Sequence, residues 1–364
     1  MEEKKPDLWL VVAIFGILII GVVMVYSSSS IWSEYKFDDP LFYAKRQILF
    51  ATAGLIAMFV LSRIPYYVWH AHSKMILIIC LVFLVAVLIP GVGMVRGGAR
   101  SWIGVGMFSI QPSEFMKLGL ILFLARFLSE RQKRMGSFQE GFLPGLALIL
   151  VPFALIMLQP DLGTGVVMVG TCLVMMFTAG ARISHFMWIA AAGMAGMIGL
   201  IASAPYRIKR ITAFLHPWED PLGAGFQIIQ SLYAIGPGGL LGLGLGNSMQ
   251  KFFYLPEPQT DFIFAVLAEE LGFLGGLLVL SLFFVLLWRG IRASLLAPDL
   301  FGSLLALGIV GMISIQVMIN VSVVTGLIPV TGITLPLVSY GGSSLTLTLA
   351  SLGLLLSVSR FSTR

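Results

Sequence analysis

Long apolar runs separated by shorter polar stretches dominate the chain. They fall at 8–27, 46–62, 75–90, 113–129, 141–159, 162–180, 186–204, 262–287, 301–325 and 337–358. Each is close to the ~20 residues that an α-helix needs to cross about 30 Å of hydrocarbon. The pattern predicts an all-α, polytopic membrane protein with ten transmembrane helices, a single transmembrane domain over residues 1–364. Pro152 falls inside the fifth run, where packed neighbours can satisfy the carbonyl it frees. One polar stretch is out of proportion. Residues 205–261, between the seventh and eighth helices, are too many for a connector. Within it Arg207 to Ile211 and Phe226 to Tyr233 mix apolar and polar residues at near-helical spacing, which predicts short interfacial helices.

Composition supports the membrane reading. The chain is 58% hydrophobic and 11% charged, with a mean hydropathy of +0.97. A soluble domain carries about 25% charged residues. A cytosolic enzyme, a disordered chain and a disulfide-stapled secreted domain are excluded. Cys80 and Cys172 sit inside apolar runs and imply no disulfide framework. The first run exceeds the 7–15 residues of a signal-peptide core and is read as an uncleaved span.

Net charge is +6, which in such a chain first reads as topology and gives no sign of nucleic-acid binding. An even number of spans puts both termini on one side. With the termini cytoplasmic, the short inner segments hold Lys4, Lys5, Arg63, Lys74, Arg126, Arg131, Lys133, Arg134, Arg182, Arg289, Arg292, Arg360 and Arg364. The outer segments hold fewer basic residues over a greater length. The positive-inside rule selects that orientation, so that 28–45, 91–112, 159–161, 205–261 and 326–336 lie outside.

Ionisable residues in or beside a span are costly and are functional candidates. Arg46 opens the second helix. Glu114 and Lys117 open the fourth at a pairable i, i+3 spacing. Asp161 lies in the turn before the sixth, where it could also be an N-cap. Asp261 begins the eighth after the stiff approach Pro256-Glu257-Pro258-Gln259-Thr260, and an N-cap is its alternative too. Glu269 lies two turns on, about 80° around the helix from Asp261, with Glu270 on the other side. Arg46, Glu114, Lys117, Asp161 and Asp261 fall at the outer ends of their helices. Together they make a wet, charged pocket at the depth of the outer leaflet. A transporter more often places such groups at the midplane. Gly242-Leu-Gly244-Leu-Gly246 lacks the strand–turn–helix setting of a nucleotide loop and reads as a flexible or re-entrant loop. The four histidines are scattered and suggest no imidazole metal site.

Four blocks carry a resemblance. They are Gln111-Pro112-Ser113-Glu114-Phe115-Met116-Lys117, Gln159-Pro160-Asp161-Leu162-Gly163-Thr164, Leu255-Pro256-Glu257 with Thr260-Asp261-Phe262-Ile263-Phe264-Ala265, and Leu335-Pro336 with Ser339-Tyr340-Gly341-Gly342-Ser343-Ser344. They resemble the signature blocks of the SEDS family (shape, elongation, division and sporulation) over nearly the whole chain. Val92 to Arg96, Ala204 to Arg210 and His216 to Pro221 point to its sporulation branch, with the division and elongation branches as near alternatives. One departure is that Ser101 precedes Trp102, where many relatives have Arg; here the Arg is Arg100.

The resemblance implies a peptidoglycan glycosyltransferase. Such an enzyme polymerises lipid II, a disaccharide-pentapeptide on undecaprenyl pyrophosphate, outside the cytoplasmic membrane, together with a class B penicillin-binding protein. The sugar is α-linked in the donor and β-1,4-linked in the product, so one inverting displacement suffices. Asp261 is the candidate general base for the acceptor hydroxyl. Arg46, Lys117, Arg210 and Lys251 are candidates for the pyrophosphate, Glu114 for orienting Lys117, and Asp161 and Glu269 for further substrate contacts. A divalent cation, magnesium or manganese, would fit pyrophosphate chemistry, although no ligand set can be read from the sequence. A lipid II flippase and a non-catalytic scaffold for the transpeptidase remain as rival readings.

Overall fold

The computed structural model describes residues 5–96, 99–105, 108–202, 214–223 and 225–362. Each of the ten apolar runs overlaps a helix among the described residues. These are α1 (Leu8–Phe37), α2 (Phe42–Arg63), α3 (Tyr66–Ala86), α4 (Pro112–Glu130), α5 (Leu143–Met157), α6 (Leu162–Thr178), α7 (Ile183–Ala202), α9 (Ile263–Leu295), α10 (Leu300–Val324) and α11 (Gly342–Phe361). A shorter helix, α8 (Phe226–Gly238), lies in the long polar stretch. It stands where the second of the two short helices was expected; the first, at 207–211, lies outside the described residues.

Seven of the described helical segments are long and apolar enough to cross a membrane. Helix α6 and the Ile183–Ala195 part of α7 are apolar but shorter, and α4 carries Glu114, Lys117, Arg126 and Glu130. Helices α10 and α11 are the most enclosed and form the centre of the bundle. Helix α2 packs against α11, α3 against α4, and α1 against α9.

Helix α1 runs ten residues past its apolar stretch. The serines there do not break it, because Ser29 Oγ donates back to the Val25 carbonyl at 2.6 Å and Ser27 finds a partner on α9. The glycine-rich segment 91–112 is not a plain loop, so the protein is mostly helical, not all-α. It forms an antiparallel sheet in the order β1 (Gly93–Arg96), β2 (Ala99–Val105), β3 (Phe108–Ile110). Gly93 pairs with Ile103 and Met94 with Trp102. The register shifts after Met94, so that Val95 faces Arg100. Interspersed glycines hid the strand signal in the sequence.

Helix α9 is broken. Gly272 has φ 67° and ψ −166°, a conformation open in practice only to glycine. The Phe264 ring lies within van der Waals distance of Gly276. A straight helix would separate these residues by about 18 Å, so 263–271 folds back against the rest of α9. The break strands backbone groups that must be paired in an apolar setting. The segment 239–244, which runs into the Gly242-to-Gly246 loop, pairs them. Leu243 N and Gly244 N donate to the Glu269 and Glu270 carbonyls at 3.0 Å, while Phe273 N and Leu274 N donate to Gly239 and Leu240 at 2.9 and 3.1 Å. The glycine run is therefore a backbone patch on a re-entrant helix turn.

A Cβ on Gly272 would lie 2.3 Å from Gly242 N. Gly272→Ala is expected to cost about 2–3 kcal/mol in stability, read as a lowered melting temperature of the purified protein. An unchanged melting temperature would show that this junction is not held as described.

Candidate active site

The starts of α2, α4, α6, α9 and α11 meet at one end of the bundle. Arg63, Arg289, Arg292 and Arg360 lie at the opposite end of their helices. The segment 333–343, just before and into α11, ties these starts together. Gly21 on α1 makes room for it, since a Cβ there would stand 2.3 Å from the Leu337 carbonyl oxygen.

Asp261 is held through its neighbours. Asn320 Nδ2, one turn from the end of α10, donates to the Asp261 carbonyl at 2.7 Å and to the Ile333 carbonyl at 2.8 Å. Ser339 Oγ donates to the Thr260 carbonyl at 2.6 Å, and Tyr340 N to the Gln259 carbonyl at 2.8 Å. Gln47, buried on α2 beside Arg46, donates to the Ser339 carbonyl at 3.2 Å. The backbone on both sides of the site is therefore fixed by long-range bonds. Glu257 and Leu337 also hold positive φ angles of 47° and 65°, which cost energy in residues other than glycine.

The Asp261 side chain is treated differently from the other carboxylates. It does not cap α9: the N-cap residue is Phe262, without a side-chain cap. One oxygen, Oδ1, lies 2.9 Å from the Thr260 hydroxyl. That hydroxyl is equally close to the Glu257 carbonyl and has one proton to share. Burial pushes the Asp261 carboxyl up to about 6, and the nearby Glu257 charge adds to the rise against the opposing hydrogen bonds. A carboxylate of this strength is suited to taking a proton near neutral pH.

Asp161, in contrast, is fully engaged. Its Oδ1 accepts from Thr164 N at 3.1 Å as the N-cap of α6, and its Oδ2 accepts from Gln111 Nε2 at 2.8 Å and Ser113 Oγ at 3.3 Å. It clamps the start of α4 to the start of α6. Glu114 and Lys117 form a buried ion pair of 2.8 Å in the first turns of α4. Gln111 N reaches Ser343 Oγ at 3.4 Å, joining that turn to α11. The Arg46 guanidinium lies 4.9 Å over the Phe42 ring.

Glu269 and Lys251 face a second cluster. Ser248 Oγ, Met249 N and Gln250 N donate to the Glu269 carboxylate at 2.5, 2.8 and 3.5 Å. Glu270 accepts from Ser27 Oγ at 2.6 Å and pairs with Lys251 at 3.3 Å, while Lys251 Nζ also donates to the Gly246 carbonyl. Both acids thus hold the 246–251 loop against α1 and α9. Arg210 lies outside the described residues. Sequence reasoning missed Asn320, Ser339, Gln47 and Gln111 as positioning residues. Their signal was a polar amide or hydroxyl at a buried place in or next to an apolar run. Among the described residues no three His, Cys, Asp or Glu side chains gather in a group able to hold a metal ion.

A multi-pass helical membrane protein with a poised carboxylate at one end of the bundle defines the class. The family model described as "Cell cycle protein", covering FtsW, RodA and SpoVE proteins, matches residues 8–364, and the chain belongs to that family, the SEDS family. It is 66% identical to stage V sporulation protein E of Bacillus subtilis over 99% of both chains. It is 43% identical to the probable peptidoglycan glycosyltransferase FtsW of Geobacter metallireducens, over 98% of this chain and 96% of that one. Among solved structures, it matches a chain of a complex described as coordinating polymerization and crosslinking by a peptidoglycan synthase. That match has a TM-score of 0.82 and 34% identity over 98% of both chains. The rod shape determining protein RodA of Thermus thermophilus matches with a TM-score of 0.71 and 32% identity, over 99% of this chain and 98% of that one.

Proposed function

We propose that this peptidoglycan glycosyltransferase polymerises lipid II at the outer face of the cytoplasmic membrane, in an inverting displacement with Asp261 as general base. The observation that carries this reading is the Asp261 carboxyl. It is raised toward neutrality, caps no helix and is anchored on both sides by its backbone. The Asp261 carboxylate would take the proton of the acceptor 4-hydroxyl as that oxygen bonds to the donor anomeric carbon and the bond to the pyrophosphate oxygen breaks. Pyrophosphate leaves without being protonated, so one carboxylate suffices where glycosidases need two. Arg46 and Lys117, with Arg210 from the outer loop, would receive the departing charge, and Glu114 would hold Lys117 in place. Glu269, Lys251 and Asp161 would act by holding the loop and the helix starts around the substrate. A magnesium or manganese ion would arrive with the pyrophosphate and take at most one or two protein carboxylates.

The similarity to the sporulation protein supports a role in spore cortex synthesis. The similarity to a chain of a synthase complex supports a class B penicillin-binding protein as partner. The deciding experiment gives purified protein and its transpeptidase partner labelled lipid II in liposomes. Glycan strands are the expected product. Transbilayer movement of lipid II without polymer would instead establish a flippase, and neither activity would leave a scaffold.

The distribution of basic residues supports this orientation, with ten spans and both termini cytoplasmic. Single cysteines introduced in intact cells report it. A cysteine at Gly223 reacts with an impermeant reagent and one at Ser137 does not. The reverse pattern would put Asp261 on the wrong side for this substrate.

A further inference from the structure

A cavity lies at the other end of the bundle from Asp261. It is a groove of about 720 Å³ between α1, α2 and α11. Its walls are apolar, among them Val11, Phe15, Leu55, Met58 and Leu356. It extends from Lys5, ahead of α1, to Phe15 on α1, and from Arg63 back to Thr52 along α2. At 1.5 Å per residue the α2 wall is about 16 Å long, half the hydrocarbon thickness and hence the depth of one leaflet. Phe15 and Phe59 are 39% and 59% exposed, so the groove opens sideways.

The start of α1 is anchored to α9 on the side of the groove away from α2. Asp7 caps α1, accepting from Trp9 N and Leu10 N at 3.0 and 3.2 Å, and is tied to Arg289 on α9 by a bond of 2.8 Å from Nε. On the other wall α2 and α11 are pressed together: a Cβ on Gly353 would stand 2.6 Å from the Met58 carbonyl oxygen. Arg360 Nη1 donates to the Ser62 carbonyl at 2.6 Å, which closes that seam.

The mouth is strongly basic. Lys5, Arg63 and Arg360 line it, and among the described residues that line it none is acidic. The nearby acid, Asp7, is committed to Arg289. An apolar slot one leaflet deep under three cations matches an acyl chain topped by an anionic headgroup. We propose that this groove binds an anionic phospholipid of the cytoplasmic leaflet, with a chain between α1 and α2 and its phosphate at Lys5, Arg63 and Arg360. Ordinary inside-positive residues would attract anionic lipid to the whole face; a groove holds one molecule.

Native mass spectrometry of the full chain in detergent tests this, with phosphatidylglycerol and phosphatidylcholine of equal chain length as probes. Phosphatidylglycerol is expected to stay bound as one molecule, and phosphatidylcholine to be lost. Replacing Lys5 and Arg63 together by Gln lowers phosphatidylglycerol retention about 25-fold, at about a factor of five per basic residue. Val11→Trp fills the groove without changing charge and also expels the lipid; Thr52→Trp does the same from α2 if the first variant does not fold. Equal retention of the two lipids, or undiminished phosphatidylglycerol in the Gln variant, would overturn the proposal. Displacement of the lipid by an equal concentration of glycerol phosphate would also overturn it, because the site would then read the anion without the chain.

Discussion

Asp261→Asn lowers lipid II polymerisation by a factor of about 10²–10⁴, the usual value of a positioned general base, while the protein remains folded. Asn keeps the shape of the side chain, and its Oδ1 can still accept from the Thr260 hydroxyl 2.9 Å away. The backbone bonds from Asn320 and Ser339 do not involve the carboxylate and survive. What disappears is the basic oxygen. With the wild-type carboxyl near 6, activity should fall about tenfold per pH unit below that value and level off above about 7. The stability effect has the opposite sign. The folded carboxyl titrates above the unfolded value of about 3.9, so its contribution is fully present below pH 4 and is lost as pH rises through 6. The Asn variant carries no such charge, and its melting temperature should gain on that of the wild type between pH 4 and 7. Long glycan strands from the Asn variant would remove Asp261 from the base role and turn attention to Glu114 and Asp161.

The helices were legible because bilayer depth sets both their length and their apolar content. Residues such as Ser27 and Ser29 defeated the end-point of α1, since a hydroxyl that bonds to the preceding turn is polar by composition and helical by conformation. The sheet at 93–110 was hidden by its glycines. The break at Gly272 was also missed, because a single glycine in an apolar run carries no sign of its φ angle. Within the site, the separate candidates were readable as charges at helix ends. What no spacing rule contains is the sorting of similar carboxylates. Asp161 and Asp261 both precede a helix, yet one caps it with every oxygen engaged and the other does not. Glu269 shares a helix with the residues after Asp261, but its carboxylate faces a loop brought there by the broken turn. Lys251 looked like a phosphate ligand on charge alone, whereas burial beside Glu270 gives it a fixed partner.

Lys117→Met should lower stability by about 3–5 kcal/mol, because it leaves the Glu114 carboxylate buried and alone. Lys117 is 3% exposed and sits 2.8 Å from Glu114 Oε1. The positive end of the α4 dipole offsets only part of that loss. Converting the partner as well, Glu114→Gln with Lys117→Met, removes the unpaired charge and should return most of the melting temperature. Activity then separates the two roles this pair can have. A purely structural pair predicts that the double variant polymerises lipid II once its stability is restored. A lysine that receives the pyrophosphate predicts a stable and inactive double variant, with the activity deficit independent of folding. Measuring melting temperature and glycan yield on all four members of the cycle gives the coupling for each property separately. We expect strong coupling in stability, and a coupling in activity equal to the effect of Glu114→Gln alone, because Glu114 acts only through Lys117. Recovery of polymerisation in the double variant would take Lys117 out of the reaction and leave the departing charge to Arg46 and the outer loop.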